Sequence, residues 1–137
     1  MNEPCFYRIS VKALILNEQG RFLMAREPDG TWDLLGGGLD HQEDPIAALK
    51  REITEETGLV VTHVSSAPQY FVTAERAERG IFIANVLYEV RVQDLSFTPS
   101  DECEELRFFT AHEARGVKIL PNVAKFLEVY EPNARQG

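Results

Sequence analysis

The stretch from Asp44 to Gly58 constrains this chain more than any other. Asp44 can cap a helix N-terminus, Pro45 suits the first helical turn, and Gly58 supplies a left-handed residue at the far end. Between them Ile46, Leu49 and Ile53 fall at i, i+3 and i+7. At 3.6 residues per turn these three occupy an arc of about 60°. The spacing predicts an amphipathic helix over 44–57 with a narrow apolar stripe facing a core.

Glu52, Glu55 and Glu56 stand on the same helix at i, i+3 and i+4. They cover about 80–100° of its surface, beside the apolar stripe. Three like charges this close repel one another, and the C-terminal half of a helix disfavours anions. Helix stability alone does not select this arrangement. A divalent cation reverses the sign of the local electrostatics, and carboxylate oxygens are the ligands that Mg²⁺ prefers, usually with substrate phosphates completing the shell. Arg51 lies four residues before Glu55 and can pair with it along the helix. Taken alone, the same glutamates also read as a solvated acidic face with an incidental ion pair.

The remaining segments alternate between β-rich and polar. Residues 7–16 and 22–25 read as two strands of a hairpin, joined by Asn17-Glu18-Gln19-Gly20. Residues 32–35 are short and extended, and Gly36-Gly37-Gly38 is expected to break any regular element. Further strands are expected at 60–64, 69–73, 81–92 and 106–109, with an exposed loop at 74–80 and a polar loop at 94–103. Helices are expected at 111–115 and 122–130, followed by a loose tail at 131–137. Strands and helices mix without regular βαβ alternation, which points to α+β or to an α/β/α sandwich rather than a doubly wound fold. No repeat or composition break divides the 137 residues, so one domain spanning 1–137 is expected.

Charge narrows the partners. Asp and Glu total 22 against 14 Lys and Arg, a net charge of −8. Such a surface repels phosphate backbones and anionic lipid, which argues against nucleic acid or membrane as the main partner. It leaves room for a phosphorylated small molecule if cations are recruited locally. No apolar run approaches the roughly 18 residues of a membrane helix. The first residues match neither a signal nor a transit pattern. Cys5 and Cys103 make neither a disulfide framework nor a metal-spaced pair, and they read as free thiols of a reducing cytoplasm.

Gly37, five residues, Glu43, seven residues, then Arg51-Glu52-Ile53-Thr54-Glu55-Glu56-Thr57-Gly58-Leu59 resembles the Nudix box, G-x5-E-x7-R-E-U-x-E-E-x-G-U with U a bulky aliphatic. Every fixed position over 37–59 matches. Seven fixed identities at about 6% usage each coincide by chance on the order of once in several hundred million starts. Upstream, Trp32-Asp33-Leu34-Leu35-Gly36-Gly37-Gly38-Leu39-Asp40 is similar to the family's W-x-L-P-G-G-G-x-E approach. Leu35 replaces the usual proline, Asp40 the usual glutamate, and Gln42 stands where glycine is common. Downstream, Glu105-Leu106-Arg107-Phe108-Phe109 loosely resembles the family's late strand.

The resemblance implies an α/β fold of the Nudix type, an α/β/α sandwich with a mixed β-sheet. It also implies a hydrolase that attacks a pyrophosphate bond, with water, in a nucleoside diphosphate linked to another group. By matched position it makes Gly37, Glu52, Glu55 and Glu56 metal ligands, Glu52 and Glu55 catalytic, and Arg51 the residue that orients a glutamate. Glu43 then supports the junction between loop and helix. The implied cofactor is Mg²⁺, with Mn²⁺ as the alternative, and the implied partner is a small-molecule nucleoside diphosphate derivative. Many members are dimers, so a homodimer is compatible. The competing reading is a nucleotide-sensing module that binds without cleaving, but such domains typically lose box carboxylates that are kept here. Glu102, Glu104 and Glu105 form an acidic run that reads equally as a distal ligand source or a solvated loop. His41 reads as exposed, Trp32 as core, and Tyr70 and Phe71 as strand residues before they read as substrate platforms.

Overall fold

The computed structural model describes residues 4–130. The helix over the acidic stretch, α1 (Pro45–Thr57), starts where Asp44 Oδ2 accepts the Ala47 N–H at 2.8 Å. It stops where Gly58, at φ 75°, donates its N–H to the Thr54 carbonyl. Ala48, Leu49, Ile53 and Thr57 are buried on one face. Burying a Leu or Ile side chain contributes about 1.5–3 kcal/mol, whereas a like-charge pair one turn apart costs only about 0.2–0.5 kcal/mol. The apolar stripe therefore holds the helix in place despite its crowded glutamates.

Before α1 come β1 (Arg8–Leu14), β2 (Phe22–Arg26), β3 (Trp32–Asp33) and β4 (Gly36–Gly38). After it come β5 (Val61–Val64), β6 (Tyr70–Arg76), a 3₁₀ turn (Ala77–Arg79), β7 (Ile81–Val92), β8 (Glu105–Phe109), α2 (Ala111–Arg115) and α3 (Pro121–Val129). β1 and β7 run parallel, from Arg8 opposite Ile83 to Leu14 opposite Glu89. β4 joins β1 antiparallel, and β5 and β6 pair antiparallel with successive stretches of β7. A second, antiparallel sheet has the order β3-β2-β8. One apolar cluster gathers Phe22, Trp32, Leu87 and Phe109 with Val123 and Phe126 of α3. The other gathers Val11, Ala13 and Tyr88 with Leu49 and Ile53 of α1. The sheets lie between the two helices, so the fold is a mixed α/β/α sandwich.

Three local expectations need correction. Residues 7–16 and 22–25 do not form a simple hairpin. They meet only beside the turn, where Leu16 bridges Phe22, and then part into different sheets. Gly36-Gly37-Gly38 does not break regular structure but forms β4, because its bare backbone lies close against β1 and α1. A Cβ on Gly36, which sits at φ 135°, would overlap the Val11 carbonyl oxygen. Residues 74–76 continue β6 rather than opening a loop, with Ala74 opposite Ile83 and Arg76 opposite Ile81. Exposed Phe71, Thr73 and Glu75 alternate with buried Val72 and Ala74, the period-2 pattern of a strand. The tail expected at 131–137 lies outside the described residues.

Candidate active site

The site is built where α1 crosses β4. Glu52 and Glu56 stand one turn apart and both reach the glycine strand. A Cβ on Gly37 would lie 2.8 Å from the Glu52 carboxyl carbon, so only glycine lets that carboxylate rest against the strand. The Gly36 N–H donates to Glu56 Oε1 at 3.1 Å. Gly36, Gly37, Glu52 and Glu56, with Asp101 and Glu102 from the loop before β8, line a cleft of about 530 Å³. The turn at Glu27 and Asp29 closes its other side.

Arg51 organises the rim. Its Nη2 donates to Glu43 at 3.0 Å, and its Nη1 to Glu55 at 3.1 Å and to Glu52 at 3.4 Å. The Glu43 and Glu55 bonds hold the guanidinium above its ordinary pKa. Glu43 also accepts the Asp40 N–H at 2.8 Å, tying the loop to the helix. Glu55 is thus held on Arg51 and is not among the residues lining the cleft. Of the acidic run, Glu102 faces the cleft. Glu104 and Glu105 are instead taken by Arg26 at 2.9 and 3.1 Å, and Glu105 also by Arg107. His41, His63 and His112 are exposed and line no part of this cleft. Trp32 is core, and Tyr70 packs edge-on against Phe126.

Beneath the cleft lies a polar group that the sequence reading missed. Lys12 of β1 is buried and donates to Asp33 Oδ2 at 3.0 Å and to the Leu34 carbonyl at 3.3 Å. Asp33 Oδ1 accepts from the Leu34 N–H and from Asn122 Nδ2, which also donates to Asn85 Oδ1. A lone lysine within the apolar run of β1 was the available signal. Burial pulls the Lys12 ammonium down, but attraction from Asp33 and then Glu56 outweighs it, so its pKa ends above the ordinary value.

The carboxyls above move the other way. Burial pushes Glu56 up to about 8, with Asp33 and Glu52 adding to the rise against Lys12 and the Gly36 N–H. Burial also raises Glu52, reinforced by Glu55 and Glu102 and opposed by Arg51. Burial raises Glu27 as well, with Asp33 and Asp29 adding to it. These are carboxyls that the protein's own cations leave incompletely neutralised. A divalent cation would complete the balance. Among the described residues no three Asp, Glu, His or Cys side chains form a ready-made cage. The donor set nevertheless suits a hard cation: two carboxylates against a bare backbone strand, in an open cleft.

Gly37→Ala tests that close approach. Gly37 is not at a positive φ, so a fold retained to within a few degrees of Tm is expected. The added methyl displaces the Glu52 carboxylate, and Mn²⁺ affinity measured by calorimetry is expected to fall about 10–100-fold. Unchanged affinity would remove Glu52 from the site.

The NUDIX domain family model matches residues 6–130. The MutT protein of Methanosarcina mazei Go1 superposes with a TM-score of 0.73 at 28% identity, over 95% of this chain and 94% of that one. A MutT NUDIX hydrolase of Burkholderia pseudomallei superposes at 0.71 and 23% identity, over 91% and 99%, which speaks to the fold. A MutT-like protein of Streptomyces ambofaciens is 42% identical over 59 residues, 42% of this chain and 38% of that protein. An RNA pyrophosphohydrolase of Gluconacetobacter diazotrophicus is 40% identical over 62 residues, 38% of this chain and 37% of that protein. The matched segments thus span under two-fifths of these curated relatives. With the family model covering nearly the whole described chain, and with the box glycine and glutamates meeting across β4 and α1, the chain belongs to the NUDIX family.

Proposed function

We propose that the chain is a pyrophosphohydrolase, cleaving with water the diphosphate of a nucleoside diphosphate joined to another group, with Mg²⁺ as cofactor and Mn²⁺ as the alternative. The observation that carries this is the convergence of Glu52 and Glu56 on the backbone of β4 in one carboxylate-lined cleft. The names of the RNA pyrophosphohydrolase relatives support the bond attacked.

Glu52, Glu56 and the Gly37 backbone carbonyl would hold the cation, with Glu55 as the further carboxylate on the same helix. A bound divalent ion supplies charge neutralisation for the phosphoryl oxygens and lowers the pKa of a water. Glu52, raised above the ordinary carboxyl value, suits the acceptance of that water's proton. Arg51 holds Glu52 in orientation while tying down Glu43 and Glu55. The net charge of −8 favours a small nucleotide over an RNA chain.

Phosphate release across a panel of sugar nucleotides, dinucleotides, nucleoside triphosphates and 5′-triphosphorylated RNA, with Mg²⁺ and with EDTA, tests the reading. Turnover of a small-molecule diphosphate that stops in EDTA is expected, as is a loss of about 10³-fold in kcat for Glu52→Gln. Tight nucleotide binding by calorimetry with no product on any panel member would make the chain a sensor instead.

A further inference from the structure

The acidic cleft draws its carboxylates from two separate parts of the chain. Glu52 and Glu56 come from α1, whereas Asp101 and Glu102 come from the loop before β8. Carboxylates on one helix keep their spacing through the helix itself. Those on a loop keep theirs only if something ties the loop to the helix.

The tie is Ser100. Its Oγ donates to the Glu56 carbonyl at 2.8 Å and accepts the Glu102 N–H at 3.2 Å. One hydroxyl thus joins the backbone of Glu56, whose side chain accepts the Gly36 N–H, to the backbone of Glu102, whose side chain lines the cleft. The Glu56 carbonyl lies in the last turn of α1, where carbonyls lack helical partners. The Thr98 N–H takes the next of them, on Thr57, at 2.9 Å. Residues 100–103 form a closed turn. The Ser100 N–H donates to the Cys103 carbonyl at 2.9 Å, and the Cys103 N–H donates back to the Ser100 carbonyl at 3.2 Å. Cys103 is inaccessible and packs in the cluster that holds Leu49 and Ile53 of α1. Beyond the turn, the Glu104 N–H donates to the Arg26 carbonyl at 2.8 Å. Asp101 and Glu102 therefore stand at the tip of a turn fixed on both sides. Among the described residues no hydrogen bond or ion pair occupies the Glu102 carboxylate. Its charge nevertheless reaches α1, where it adds to the rise of Glu52.

We infer that Ser100 is a positioning residue of this cleft: its hydroxyl holds the Glu102 carboxylate in place relative to Glu52 and Glu56, so that helix and turn present their oxygens to one divalent cation together. The inference rests on the metal-dependent reading of the cleft. Groups that act together on a ligand have to be held to within about 0.5 Å. A turn that lies 44 residues along the chain from Glu56 meets that demand only through an anchor on α1. A bond that merely finished the helix end would act on stability, and not on the cation through Glu102.

The test is a double-mutant cycle on Mn²⁺ affinity, read by calorimetry on the whole chain, with Ser100→Ala, Glu102→Gln and the two combined. Tm in EDTA is followed alongside. Ser100→Ala is expected to weaken Mn²⁺ binding about tenfold, and Glu102→Gln by at least as much. In the Glu102→Gln background Ser100→Ala should add no more than about twofold, because the carboxylate it positions is already gone. Its effect on Tm in EDTA should be the same in both backgrounds. Ser100→Thr keeps the hydroxyl and is expected to restore most of the Mn²⁺ affinity. A Ser100→Ala variant that binds Mn²⁺ as the wild type does, or loses affinity equally with and without Glu102, overturns the inference and leaves the bond to the helix end alone. Full turnover in Ser100→Ala, where Glu52→Gln has lost it, overturns the inference and leaves the hydrolase reading standing. A coupled loss of Mn²⁺ affinity with no nucleotide turned over upholds the role of Ser100 and counts against the hydrolase reading instead.

Discussion

Lys12→Met is expected to destabilise the protein by about 3 kcal/mol, read by urea unfolding at pH 7. The methionine keeps the length and apolar stem of the lysine. What it removes is the cation facing Asp33, and both residues are nearly inaccessible. Breaking one half of a buried pair typically costs about 3–5 kcal/mol, because the remaining charge stays buried without its partner. The lower end applies here. Asp33 keeps two donors, the Leu34 N–H at 2.8 Å and Asn122 Nδ2 at 3.0 Å. Glu56 also loses the attraction that opposes its burial.

The double variant Lys12→Met/Asp33→Asn removes both charges and is expected to recover most of that loss. Removing two partners together leaves no uncompensated ion. The introduced asparagine would still accept from the Leu34 N–H. A single variant within 1 kcal/mol of wild type would mean that Lys12 adds nothing to the floor of the cleft. A double variant no better than the single one would place the loss in packing rather than in charge.

The same pair marks what the sequence does and does not expose. The ends and faces of α1 are readable because caps and a 3.6-residue period are local signals. The box spacing likewise names Gly37, Glu52, Glu55, Glu56 and Arg51 without any knowledge of the sheet. Local signals do not say which strand lies beneath a helix. Lys12 faces Asp33 only because β1 is flanked by β4, and Asn122 reaches Asp33 across 89 residues of chain. The glycine run departs from expectation for a related reason. Glycine disfavours strands in general, yet here the close approach of Val11 and Glu52 leaves no room for a side chain. Glu55 and Glu56 are neighbours in the motif with different surroundings, one held on Arg51 at the rim and the other turned inward to Gly36. That division follows from which helix face meets β4.

Glu56→Gln is expected to separate function from stability in opposite directions. Glutamine keeps the shape and still accepts the Gly36 N–H, so a native circular dichroism spectrum is expected. It is a poor ligand for a hard cation, and kcat is expected to fall about 10³-fold or more. Stability without metal should move the other way. The wild-type carboxyl titrates at about 8 in the folded protein, above its ordinary 4.5, chiefly because it is buried. The folded state therefore holds a proton that the unfolded chain gives up. Wild-type stability in EDTA is full below about pH 4.5 and declines as pH rises through about 8. The substituted glutamine has no such proton to lose. At pH 4 the two proteins should unfold alike, and by pH 8–9 the variant should be the more stable by a few kcal/mol. Adding a divalent cation should then restore the wild type by about 2.7 kcal/mol at a hundredfold excess over Kd, and leave the variant nearly unchanged. Turnover within tenfold of wild type would remove Glu56 from the reaction. A variant less stable than wild type at pH 8 in EDTA would show that the buried carboxyl is already satisfied without a metal ion.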